Sequence, residues 1–340
     1  SVVTPQGNIL KIDGGTQAGN NLFHSFTEFS VPDKQTAYFN NSLSIQNIFS
    51  RVTGSLSSKI DGIIKANGTA NLFLINPNGI VFGPNAALNI GGSFVASTAN
   101  RLIFSDGFVF STTEPQISPL LTINVPIGLG FGSSPGQIIN QSRASVRDRL
   151  TGRIIYENIS GLQVEDDKTL ALIGGNISLQ GGNLTANGGR IELGSVAGNN
   201  TVSLTPIEKG WQVGYQRVQA FQDINLFSPT IVDTSGKTGG GEIQLQGHRI
   251  IFTGDQIGSP VLVFSNTAEN GQGGNIIVKA SETLEITGSL SGLLTQADRK
   301  GRAGNIIVET PMLTLNGGGL IQSSASEFDD GKAGDISVNA

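Results

Sequence analysis

The chain has no cysteine, one methionine, one tryptophan and only 14% charged residues. Without cysteine there is no disulfide, no thiolate metal site and no cysteine nucleophile. No run approaches the ~18 apolar residues of a membrane span, so a membrane-embedded chain is not expected. Net charge is −5 and the basic residues are scattered, which argues against a nucleic-acid partner, since that needs a basic face. The nearest basic group, Arg143, Arg147, Arg149 and Arg153, reads as a solvated loop. His24 and His248 are the only histidines and lack metal-ligand spacing. No glycine-aspartate calcium repeat occurs either. No metal or cofactor is expected.

Glycine is abundant, with 47 of 340 residues, and 37% of residues are apolar in short alternating runs. The most informative feature is a repeat. Gly274-Asn275-Ile276-Ile277-Val278 returns as Gly304-Asn305-Ile306-Ile307-Val308 and as Gly334-Asp335-Ile336-Ser337-Val338, each 30 residues on. A looser copy, Gly241-Glu242-Ile243-Gln244-Leu245, lies 33 residues upstream of the first. A fixed period of this size means stacked units that bury their apolar faces only against neighbours. The units are short strands between Gly and Asn turns. The expected fold is all-β, a right-handed parallel β-helix with an N-terminal β cap and extra-helical strand excursions.

Residues 1–58 read as the cap, with a strand candidate over Leu22–Val31 that puts Phe29 and Val31 on one face. Ile45, Ile48, Phe49 and Val52 have helical spacing and predict a short helix. Regular strands follow from Lys59, with Ile60, Ile64 and Ala66 on one face. Leu72-Phe73-Leu74-Ile75 is apolar on both faces, so something must cover the outside of the coil there. The module 59–245 carries excursions at about 102–162 and 208–223, and 246–340 holds the cleanest repeats. In the first excursion, Phe104, Phe108, Phe110, Leu120, Leu121, Ile123, Val125, Leu129 and Phe131 are expected to lie on the coil's outer face. The second, beginning near Ser142, is more polar and basic. The third holds Trp211 and Tyr215. The whole is expected to be one continuous solenoid and a monomer, truncated C-terminally; a start at Ser1 fits removal of a signal peptide.

Motifs of catalysis fail on context. Asp166-Asp167-Lys168 and Asp329-Asp330 read as solvated corners, because adjacent strand residues point to opposite faces and do not pair as carboxylates. Gly132-Ser133-Ser134-Pro135-Gly136 matches G-x-S-x-G but no helix follows. Gly236-Lys237-Thr238 lacks the upstream glycine of a phosphate loop. No catalytic residue is expected.

Ile75-Asn76-Pro77-Asn78-Gly79-Ile80, with Asn8, the Gly19–Val31 strand and Val52-Thr53-Gly54, resembles the haemagglutination-activity domain of filamentous-haemagglutinin-like exoproteins. Thr169–Leu179 and Gly188–Val196 look like the cyanobacterial branch. The resemblance implies export by two-partner secretion, with recognition by an outer-membrane β-barrel transporter bearing periplasmic polypeptide-transport-associated domains. It also implies folding at the cell surface after passage through the periplasm of a Gram-negative-type bacterium. A chain without cysteine suits that crossing, because the periplasm oxidises thiols. The family's second motif, Asn-Pro-Asn-Leu, is replaced here by Asn40-Asn41-Ser42-Leu43. From its chemistry, Asn76-Pro77-Asn78-Gly79 is a tight corner: proline fixes φ, asparagine tolerates unusual backbone geometry and glycine accepts positive φ. Whether the motif is also read by the transporter stays open at this point. So do two other readings, a polysaccharide-acting β-helix enzyme and a glycan- or receptor-binding adhesin domain. Carboxylates converging from neighbouring coils would favour the enzyme.

Overall fold

The computed structural model describes residues 1–113, 121–147, 154–255, 259–326 and 330–340, with side chains of 145–147 and 154–159 excluded. Leu120, Arg149, Arg153 and Asp329, and the Arg147 side chain, lie outside the described residues.

The chain is a parallel β-helix, all-β among the described residues. One face stacks Asn21–Phe26, Asn47–Val52, Asn71–Ile75, Phe94–Ser97, Thr169–Gly174 and Arg190–Ser195 in parallel. It continues into Glu242–Thr253, Ile276–Thr287, Ile306–Glu309 and Ile336–Asn339. The 30-residue repeat is the register of this face: Ile276, Ile306 and Ile336 align, as do Val278, Val308 and Val338. The looser copy aligns too, through Ile243 with Ile276 and Leu245 with Val278. Ile276, Ile306 and Val278 are fully buried, whereas Ile336 is 46% exposed because it belongs to the last described rung.

The corner before each copy explains its glycine. A Cβ on Gly304 would lie 1.8 Å from the Gly274 carbonyl oxygen, and one on Gly274 would lie 2.0 Å from that of Gly241. The chain turns so tightly above its neighbour that only hydrogen fits. The next residue locks the stack. The Asn305 N–H donates to Asn275 Oδ1 at 2.9 Å, and the Asp335 N–H to Asn305 Oδ1 at 2.8 Å.

Parallel stacking starts early. Ile9–Asp13 pairs with Thr36–Phe39, which pairs with Ile63–Ala66. Antiparallel hairpins, Val2–Gln6 with Ile9–Asp13 and Thr16–Ala18 with Asn21–Phe26, precede and flank these first coils. The helix expected over Ile45–Val52 is instead the strand Asn47–Val52. Its helical spacing arises because both faces are buried: Ile48 and Val52 point into the coil, and Phe49 points out into a second apolar cluster.

That second cluster answers the two-sided strands. Leu72 and Leu74 face the coil interior, while Phe73 and Ile75 face outward and are as deeply buried. The cover is a five-stranded antiparallel sheet of Val109–Ser111, Arg101–Phe104, Pro126–Gly130, Thr201–Ile207 and Gly210–Gly214. The first and third excursions therefore build one sheet, which also takes in Thr201–Ile207. Between them Ile138–Asn140 returns to the coil, pairing with Ile80–Phe82 and Ile177–Gln180. Phe104, Phe110, Leu129, Phe131, Trp211 and Tyr215 fill the cover's inner face. Ile123 and Val125, expected there, are 72% and 41% exposed, in the connection ahead of strand Pro126–Gly130.

Candidate functional site

The Asn76–Gly79 corner is built from side-chain amides. Asn76 follows the outward strand Asn71–Ile75 and has no exposed surface. Its Nδ2 donates to the Leu56 carbonyl and to Ser58 Oγ, both at 3.0 Å. Its Oδ1 accepts from the Asn78 N–H at 3.0 Å, closing an Asx turn over Pro77. The Gly79 N–H closes the backbone turn on the Asn76 carbonyl at 3.2 Å. Gly79 takes φ +117, which admits glycine best, and a Cβ there would sit 3.0 Å from the Gln137 carbonyl. Pro77 is half-buried and Asn78 exposed.

The two motifs of the sequence meet at this corner. Asn78 Nδ2 donates to the Gly54 carbonyl at 2.8 Å, so Val52-Thr53-Gly54 and Asn76-Pro77-Asn78-Gly79 are neighbours on stacked coils. Asn8 lies elsewhere, its carbonyl accepting from the Thr36 N–H at 2.8 Å. Where the family's other motif would fall, Asn41 is buried and forms a corner with the next coil. Its Oδ1 accepts from the Asn67 N–H at 2.8 Å and its Nδ2 donates to the Asn67 carbonyl at 3.1 Å.

A ladder of amides on the adjoining face went unread in the sequence. Asn71 Nδ2 donates to Asn47 Oδ1 at 2.9 Å, and Asn47 Nδ2 to Asn21 Oδ1 at 3.0 Å. Asn21 Nδ2 then donates to the carbonyls of Thr122 and Asn124, tying the first excursion to the first coils. The signal was the recurrence of asparagine ahead of Leu22, Ile48 and Leu72, at spacings that are unequal and so escape a search for a fixed period.

The third excursion is anchored by Thr169 and Glu192. Thr169 Oγ1 accepts the Trp211 N–H at 2.9 Å, and Glu192 Oε1 accepts the Val213 N–H at 3.2 Å. Both close the outer edge of strand Gly210–Gly214. Glu192 is fully buried and pairs with Arg190, which reaches on to Glu242 and Gln244 of the next coil. Burial pushes the Glu192 carboxyl up to about 7, against the pull of Arg190. Gly194 is glycine because the Tyr215 hydroxyl occupies the place of its side chain, 2.1 Å from where a Cβ would be.

Asp166, Asp233 and Asp298 line one surface groove, the arrangement that an enzyme would use. Asn187 separates the first two along the stack, donating to Asp166 Oδ1 at 3.4 Å, while the strand carrying Thr185 pairs with that of Asp233. Two coil steps are about 9.6 Å, beyond the ~5 Å of a nucleophile–acid pair and at the outer limit for an inverting pair. Asp167 turns away to Lys209 at 3.0 Å. His24 is buried against Ser1 Oγ, and His248 pairs with Glu282, so the two share no site. Arg143 of the basic group donates to the carbonyls of Gly181 and Pro229. Among the described residues no cluster of His, Asp or Glu has the makings of a metal site, and no helix is long and apolar enough to cross a membrane.

The family model of the TPS secretion domain matches residues 1–246. The chain belongs to this family, the two-partner secretion domains. It is the secretion module of an exoprotein, and the family is one of secretion domains rather than enzymes. Over 112 residues it is 31% identical to the heme/hemopexin-binding protein of Haemophilus influenzae, a match covering 31% of this chain and 11% of that protein. Among solved structures it is similar to the HMW1 secretion domain of Haemophilus influenzae, with TM-score 0.46 and 20% identity over 94% of this chain and 80% of that one. It is also similar to the filamentous hemagglutinin secretion domain, with TM-score 0.42 and 15% identity over 100% of this chain and 97% of that one. TPS domains are recognised by outer-membrane transporters, and their exoproteins cross the outer membrane.

Proposed function

We propose that the Asn76–Gly79 segment is read by the transporter while the chain is still extended, and that folding then converts it into a corner. The observation that supports this is the complete burial of Asn76, whose amide is spent on Leu56, Ser58 and Asn78 in the folded coil. A receptor meets that amide only before the coil forms. On this reading the periplasmic polypeptide-transport-associated domains of the transporter engage residues around 52–80, the chain crosses unfolded, and the β-helix assembles at the cell surface as a monomer.

The test is an export assay in cells that carry the cognate transporter, run beside thermal melts of purified Asn76→Ala and Asn78→Ala. Export of Asn78→Ala is expected to fall while its melting stays near wild type, because Asn78 is exposed and makes few contacts. Unchanged export of both variants would leave the segment a corner alone.

A further inference from the structure

The outward rows of the coil continue past the edge of the extra-helical sheet. Register places Gly194, Gln246, Lys279 and Glu309 in one row, and Glu192, Gln244 and Ile277 in the row beside it. Strand Gly210–Gly214 covers the first rung of both rows through Val213 on Glu192 and Tyr215 over Gly194. Beyond it a groove of about 470 Å³ opens, walled by Gln212, Tyr215, Gln216 and Phe221 and floored by Gln244 and Gln246 with Ile277 and Lys279.

Three observations define what fits there. Gln246 is only 8% exposed and lines the groove, and its side-chain amide makes no hydrogen bond among the described residues. Lys279, the one charged residue of the lining, pairs with Glu309 at 2.8 Å. The strand-edge donors are taken: the Trp211 N–H donates to Thr169 Oγ1 and the Val213 N–H to Glu192 Oε1, and Thr169 Oγ1 donates in turn to the Trp211 carbonyl. A peptide therefore finds no free edge N–H to pair with, and an ion finds no unpaired charge in the lining. We propose that this groove binds a neutral oligosaccharide. The Gln246 and Gln216 carboxamides each offer a donor and an acceptor to adjacent hydroxyls, whereas the Gln244 oxygen already accepts from Arg190. Phe221, half-buried and 6.1 Å from the Tyr215 ring, offers a ring face for a sugar's apolar side.

Binding is measured by calorimetry and ligand-observed NMR on purified protein with maltohexaose, cellohexaose and N-acetylchitohexaose. A heparin hexasaccharide and a neutral extended peptide serve as the charged and peptide probes. At least one neutral oligosaccharide is expected to bind. Gln246→Ala and Gln216→Ala should each weaken it about tenfold with unchanged melting, and the remote Gln17→Ala should not. Gln216 is exposed, so its variant stays informative if Gln246→Ala perturbs the coil. The proposal is overturned if no neutral oligosaccharide binds, if only heparin or the peptide binds, or if both groove variants bind as wild type. No transporter takes part in this measurement, so either result leaves the secretion reading where it stands.

Discussion

Asparagine and glycine carry most of the specific geometry at the scale of single residues. Removing the Asn76 amide takes the donor from the buried Ser58 hydroxyl and the acceptor that closes the turn on the Asn78 N–H, so Asn76→Ala should cost about 3 kcal/mol in a denaturant titration. Asn78→Ala should cost no more than about 1 kcal/mol. The glycine column gives a sharper contrast. Gly304→Ala drives a methyl against the Gly274 carbonyl and should cost about 3 kcal/mol or more, whereas Gly107, with nothing within 4 Å, should lose only about 1 kcal/mol through its positive φ. Two buried ionisable groups set opposite pH slopes. Burial lowers His24 to about 4, so its contribution is full above its unfolded value of 6.5 and is lost as pH falls from there toward 4; it amounts to about 3 kcal/mol. Burial raises Glu192, so its contribution is full below its unfolded value of 4.5 and is lost as pH rises through about 7. Melting temperature against pH should show Glu192→Gln flattening the loss between pH 4.5 and 7, and His24→Gln flattening the gain between pH 4 and 6.5. A curve unchanged by both substitutions would contradict the burial of these groups.

The strands that matter most as elements are those with two buried faces. Asn47–Val52, Asn71–Ile75, Phe94–Ser97 and Thr169–Gly174 supply the coil core with one side chain and the second cluster with the next. Phe73 is the joint between coil and cover: it is fully buried, 5.0 Å from the Phe49 ring and edge-on to Trp211 at 5.2 Å. Phe73→Ala should cost about 4 kcal/mol and shift Trp211 fluorescence to the red as water reaches the indole. An unshifted spectrum would mean that the sheet collapses onto the cavity. That Leu72–Ile75 needed an outer cover was legible from four apolar residues in a row. The same pattern misled at Ile45–Val52, where burial on both faces imitates the spacing of a helix.

The whole molecule grows in one dimension, and its vulnerable parts are its ends. The lead hairpins flank the first coil and are expected to cap it; Phe26, Phe29 and Phe39 sit in the coil core there, while Phe23 packs outward against Phe49 and Phe104. Deleting residues 1–40 would expose the Asn47–Val52 edge and those contacts at once. Aggregation or loss of cooperative melting is expected. A soluble variant that unfolds in one sharp transition would show that the coil needs no such cover.

The sequence by itself determined the coil. Period, register and turn chemistry are local, and a repeat of Gly-Asn-Ile-Ile-Val prints its own stacking, since identical residues fall on identical corners. It also determined the Asn76–Gly79 corner, because proline and glycine state their backbone angles in their own covalent structure. Tertiary structure alone decided the rest. Strands at 101–130 and at 201–214 belong to one sheet, yet no shared pattern marks them, because antiparallel partners match in face and not in sequence. The joining of Gly54 to Asn78, the placing of Tyr215 over Gly194 and the burial of Glu192 depend on which excursion lands on which coil. That is settled by packing between segments about 20 to 75 residues apart, where no short-range signal reaches.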